Sequence, residues 1–179
     1  STTPTSGWTT SGTLTSGSYD ITAGGTYYVW AKDAAGNVGK ATIGAFTMTR
    51  SQGKGSTLTT RVDGTSASTG TAVTANTAVL NGTTVWAIAT ANTGYQTPVL
   101  KNGETAITAS GTKVTISANT TFTSSASIIT YTISYDLKGG TMPNDAPYKY
   151  ETGVKLTLPI PTKDHHEFLG WYLDDKYIG

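Results

Sequence analysis

The 179-residue chain contains no cysteine, so neither a disulfide framework nor thiol chemistry is open to it. Charge is scarce as well: Asp, Glu, Lys and Arg together make up 13% of the residues, and the formal net charge is +1. That balance lacks the basic footprint that nucleic acid or an anionic membrane surface attracts. No apolar run approaches the ~18 residues of a membrane helix, and the opening STTPTSGWTT has neither the basic start nor the apolar centre of a signal peptide. Nucleic-acid binding and membrane insertion are therefore not expected of this segment. The strong helix formers Leu, Glu, Lys and Arg are sparse, which disfavours long helices.

What fills the chain instead is threonine, serine and glycine. Threonine is branched at Cβ and suits a pleated surface, so Thr-rich alternation predicts strands with polar, uncharged outer faces and an all-β, mainly antiparallel fold. Residues 1–25 offer only Trp8, Leu14, Tyr19 and Ile21 as large apolar groups, enough for two short strands. In TYYVWAKDAAGN, beginning at Thr26, Tyr27, Val29 and Ala31 alternate with Tyr28, Trp30 and Lys32. Asp33, Gly36 and Asn37 then supply a tight turn into a returning strand carrying Ile43, Phe46 and Met48. This run resembles the penultimate strand and last turn of bacterial immunoglobulin-like domains. The resemblance implies a partial sandwich over residues 1–50, because a complete one takes about 100 residues.

SQGKGS at 51–56 reads as a linker. Beyond it, 57–62 is a predicted strand, Asn81-Gly82 and Asn102-Gly103 are turn signals, and Val85, Ala87 and Ala89 alternate with Trp86, Ile88 and Thr90. The order V-x-x-G-T-T-V, A-T-A, G-Y, V-x-x-N-G and S-G-T-x-V-T-I-x-A-N-T-T-F, from Val79 to Ala126, resembles a divergent internalin B-type repeat. Val99-Leu100 stands where that family usually has a tryptophan. The resemblance implies a β-grasp-like sheet module over 51–128.

The last fifty residues alternate Tyr131, Ile133 and Tyr135 with polar neighbours, break at Lys138-Gly139-Gly140, and alternate again through Val154, Leu156 and Leu158 up to Pro159 and Pro161. A third strand is predicted from Phe168 to Tyr172, with Trp171 as its largest apolar body. The pattern Y-D-L-x-G-G-T, G-x-x-x-x-L-P-x-P-x-K and F-x-G-W-Y is similar to the Listeria-Bacteroides repeat, here over 129–179 and C-terminally truncated before a closing strand. That family recurs in tandem on secreted and wall-attached bacterial proteins. The three pieces together imply a non-enzymatic, extracellular stalk or adhesion segment of a large surface protein, partnered by its neighbouring modules and needing no cofactor.

No catalytic signature accompanies the serines, and Asp174-Asp175 are simply adjacent. His165 and His166, between Asp164 and Glu167, come nearest to a metal cluster, but adjacent strand residues face opposite ways and further ligands would be needed. No catalytic residue and no metal ligand is assigned. Asp33 and Asn37 could hold calcium in a turn, and Lys32, Lys40 and Lys113 occupy strand positions open to a lysine–asparagine isopeptide bond. The candidate ligand-binding residues are Tyr28 and Trp30, two apart on one strand face. Exposed, they would dock a host or wall glycan or a host protein; buried, they would pack against another strand or module.

Overall fold

The computed structural model describes residues 21–179, which contain fourteen strands and no helix. The all-β expectation therefore holds. No helix among the described residues is long and apolar enough to cross a membrane. Two compact units result, the first ending at Ser127 and the second spanning Ile128–Gly179.

The first unit holds β1 (Gly25–Lys32), β2 (Val38–Gln52), β3 (Ser56–Val62), β4 (Thr71–Val73), β5 (Thr77–Leu80), β6 (Thr84–Ala91), β7 (Val99–Asn102), β8 (Thr105–Ile107), β9 (Thr112–Thr115) and β10 (Thr120–Ser125). One sheet runs β1-β2-β10-β7-β8, with β5 also on β2; the other runs β4-β3-β6-β9. All pairs are antiparallel except β2 with β10. The core gathers residues from both sheets: Met48, Val79, Leu100 and Phe122 from the first, Leu58, Val85, Ala87 and Ala89 from the second, with Ile116. Alternation along β6 is thereby resolved. Val85, Ala87 and Ala89 are buried, while Trp86 is half-buried on the other face and donates its indole N–H to the Gly64 carbonyl at 3.1 Å. Leu100, at the position where the resembled family usually has tryptophan, is fully buried and fills the core itself.

β2 is the axis of this unit. On one edge it pairs with β1 as far as Ala45, and β10 begins on the same edge at Met48; the N–H of Thr47 between them is taken by the Asn119 side chain at 2.9 Å. On the other edge β5 covers Ala45 to Met48, and Asn76 accepts the N–H of Arg50 at 2.8 Å where β5 has ended. Two asparagine side chains thus stand in for missing strand neighbours, which keeps the backbone hydrogen-bonded across each gap.

The linker expected at 51–56 is corrected by β2. This strand continues without interruption through Gln52, and Gly53–Gly55 form a corner rather than a tether. Gln52 accepts the N–H of Leu58 at 2.9 Å, and Arg50 donates to the carbonyl of Leu58 and, at 2.6 Å, to that of Thr74. Leu58 lies on the edge of β3 that β4 does not reach, so these side chains close an otherwise open ladder. At Gly55, φ is +77° and the Tyr95 ring sits where a Cβ would go, which only glycine permits.

Of the partial immunoglobulin-like sandwich expected over residues 1–50, only residues 21–50 are described. Among the described residues 21–50 there is one two-stranded ribbon, β1 with the first half of β2, and Val29, Ala31, Gly39 and Ala41 on one of its faces are exposed. The predicted strands in residues 1–20 lie outside the described residues.

The second unit holds β11 (Thr130–Thr132) paired with β12 (Lys149–Glu151), β13 (Tyr172–Leu173) paired with β14 (Lys176–Tyr177), and a bridge between Thr141 and Thr162. The strand expected through Val154–Leu158 is irregular chain instead, since Pro159 and Pro161 remove donors that would have continued a ladder. Packing rests on rings: Trp171 lies 5.4 Å from Tyr135 and 5.3 Å from Phe168, and its N–H reaches the Pro159 carbonyl at 3.1 Å. β13 and β14 are joined by Asp174-Asp175, both in the left-handed region (φ 46° and 61°), a two-residue hairpin turn of the primed kind. Replacing the pair by Asn-Gly should strengthen this hairpin by about 1 kcal/mol, since both positions are left-handed, read as slower hydrogen exchange at the Ile178 N–H that bonds Trp171.

Candidate functional site

Tyr28 and Trp30 lie on β1 opposite Thr42 and Lys40 of β2, so all four side chains share one face of the ribbon. The opposite face carries Tyr27, Val29, Ala31, Ala41 and Ile43, with the Tyr27 hydroxyl turned to the Ala23 carbonyl at 2.7 Å. Tyr28 is 40% exposed and Trp30 is half-buried. The Lys40 ammonium stands 4.0 Å from the centre of the Tyr28 ring and 5.3 Å from that of Trp30, within reach of both π faces. The two predicted residues are therefore brought together, with a cation seated on them.

The turn that sets this register is built on Asp33. Gly36 (φ +92°) donates its N–H to the Asp33 carbonyl at 3.1 Å, and the Asp33 N–H donates to the Asn37 carbonyl at 3.0 Å. Both carboxylate oxygens are engaged by Asn37, one by its backbone N–H at 2.8 Å and one by its side-chain amide at 2.7 Å. They are turned onto the loop itself and not offered together to a cation. The side-chain amide of Asn37 first, and its backbone N–H second, hold the Asp33 carboxyl below its ordinary pKa. Because the folded pKa is the depressed one, the turn is supported above the ordinary carboxylate range and loses that support as pH falls through the folded value. Carbon-detected titration should place the Asp33 midpoint below that of an ordinary aspartate, and Asn37→Ala should return it towards the ordinary value.

The other sequence candidates are dispersed. His165 (φ 60°) and His166 occupy an exposed turn, and His166 Nδ1 lies 2.7 Å from the Asp164 carbonyl oxygen. No group of three His, Cys, Asp or Glu able to hold a metal ion occurs among the described residues. Lys32, Lys40 and Lys113 are all exposed, which does not supply the buried setting an isopeptide bond needs. In the second unit, Tyr131 and Tyr150 are cross-strand partners stacked at 5.2 Å beside a shallow groove of about 410 Å³ that Val154 and Leu156 help to line.

Lys40, which sequence reading placed among the isopeptide candidates, is a third member of this face. Its signal was present: a turn at Asp33–Asn37 fixes Lys40 opposite Trp30, so both belong to one face.

The stretch that holds the Lys138–Gly140 turn, Trp171 and the closing hairpin lies within a family match. Residues 131–178 match the Listeria-Bacteroides repeat domain. The repeat's family is typical of surface proteins. Over 62 residues the chain is 37% identical to a protein of Evansella cellulosilytica named "Putative membrane protein". That similarity covers 34% of this chain and 9% of the length of that relative. No solved structure matches the chain.

Proposed function

We propose that the chain is a non-enzymatic, extracellular stalk or adhesion segment of a large bacterial surface protein, joined in series to neighbouring modules. The observation that carries this reading is the continuity of β2 across residues 50 and 51. Fifteen residues of unbroken strand span roughly 50 Å. Its first half backs the apolar ribbon face through Ala41, Ile43 and Ala45, whereas its second half sends Met48 into the core from the opposite face. One unbroken strand couples the ribbon to the core stiffly, as a spacer requires and a glycine-serine tether does not provide. The immunoglobulin-like and internalin B-type assignments of the first unit belong to the same reading. Small-angle X-ray scattering on concatemers of one, two and four copies tests it. The longest dimension should grow in proportion to copy number; growth as the cube root would mean that the copies collapse onto one another and that the segment is no spacer.

A second reading, glycan recognition by the first unit, is favoured by the exposed face of Tyr28 beside Trp30. On a glycan array, Trp30→Ala should abolish any specific signal of the wild-type chain. A signal that survives the substitution would place the binding elsewhere.

A further inference from the structure

We infer that the sugar taken by the Tyr28–Trp30 face is an acidic one, a hexuronic or other carboxylate-bearing residue held by Lys40. The inference rests on the glycan reading above and specifies its ligand class.

Three observations point to it. The face is the wetter side of the ribbon: beside Val38 it carries the charged and hydroxyl groups Thr26, Lys32, Lys40 and Thr42 among the aromatics, while the opposite face has the Tyr27 hydroxyl as its one polar side-chain group. Anything that covers the ribbon to bury apolar surface therefore settles on Tyr27, Val29, Ala41 and Ile43, and leaves Tyr28 and Trp30 in water. Secondly, Lys40 is pre-positioned. Its ammonium is held over two rings at once, so the entropy of fixing a long side chain is partly spent before a ligand arrives. Thirdly, that charge is not neutralised. Lys40 makes no ion pair among the described residues, and the carboxylate nearest in sequence, Asp33, is engaged by Asn37. A fixed ammonium beside exposed aromatic surface complements a sugar that offers a carboxylate and an apolar C–H face together. A neutral sugar would use the rings and leave the cation without a partner.

The test is an NMR titration of the isotope-labelled chain with a hexuronic-acid oligosaccharide and with the same oligosaccharide after carboxyl reduction, following the Trp30 indole N–H. The acidic form should bind at least about fivefold more tightly, a difference of ~1 kcal/mol, and this preference should fade at high salt. Lys40→Gln should erase the preference, Lys40→Arg should keep most of it, and Lys113→Gln, on the second sheet, should leave it unchanged. Equal binding of the two sugars, indifferent to Lys40→Gln, would overturn the acidic assignment while leaving a glycan site. Equal weakening by Lys113→Gln would reveal diffuse charge and overturn it as well. Silence with both sugars would remove the site altogether.

Discussion

Phe122→Ala should destabilise the first unit by about 3–5 kcal/mol. Phe122 is fully buried on β10, between Arg50 of β2 and Asn102 of β7 in register, and it reaches the cluster that joins the two sheets. It shares that cluster with Leu58, Val85, Ala87 and Ala89 of the second sheet. Loss of transfer free energy is then compounded by a cavity that the rigid sheets cannot close. Urea unfolding should show a lower midpoint with an unchanged slope, since the folded and unfolded surfaces stay the same. The melting temperature should fall by on the order of 15 °C. A loss under 1 kcal/mol would mean that the two sheets do not share this core.

Arg50→Ala has the second largest expected effect, about 2–3 kcal/mol. The guanidinium links three segments: it extends from β2, donates to the Leu58 carbonyl on β3, and donates to the Thr74 carbonyl just beyond β4. Burial disfavours its charged form and lowers its pKa, so the side chain would not occupy this place without those acceptors. Truncation leaves two carbonyls without donors and uncaps the edge of β3. Arg50→Lys should recover only part of the loss, because a single ammonium cannot reproduce the planar fork that serves two carbonyls. Both variants are compared with wild type by urea unfolding. Since the corner they weaken is also where β2 passes into β3, the same variants should shorten concatemers in scattering if this corner transmits stiffness along the proposed stalk.

Several features were legible without coordinates. Scarce helix formers and Thr-rich alternation lead to an all-β chain, and the strands carrying Tyr27–Lys32, Leu58–Val62 and Val85–Ala89 were readable from period two. The turn at Asp33–Asn37 was readable because aspartate, glycine and asparagine each have a local conformational reason to be there. The Listeria-Bacteroides repeat was readable because its glycines, prolines and aromatics hold fixed places along the sequence. These are all local properties, set by residues within a few positions of one another.

What the tertiary structure decided is non-local. Gly53, Lys54 and Gly55 have the composition of a linker, yet the Gly53 N–H bonds the Ser124 carbonyl and Tyr95 covers Gly55, contacts that sequence spacing does not announce. The segment from Val154 to Leu158 has the alternation of a strand, but no partner strand is in register with it. Arg50 and Asn119 read as ordinary polar residues until the ends of β5, β4 and β1 show which backbone groups they must satisfy. Local chemistry thus determined which residues extend, turn and alternate, because those preferences act along the chain. Which strands pair, where a ladder stops, and which side chain completes it were settled only by packing, because that depends on residues distant in sequence meeting in one core.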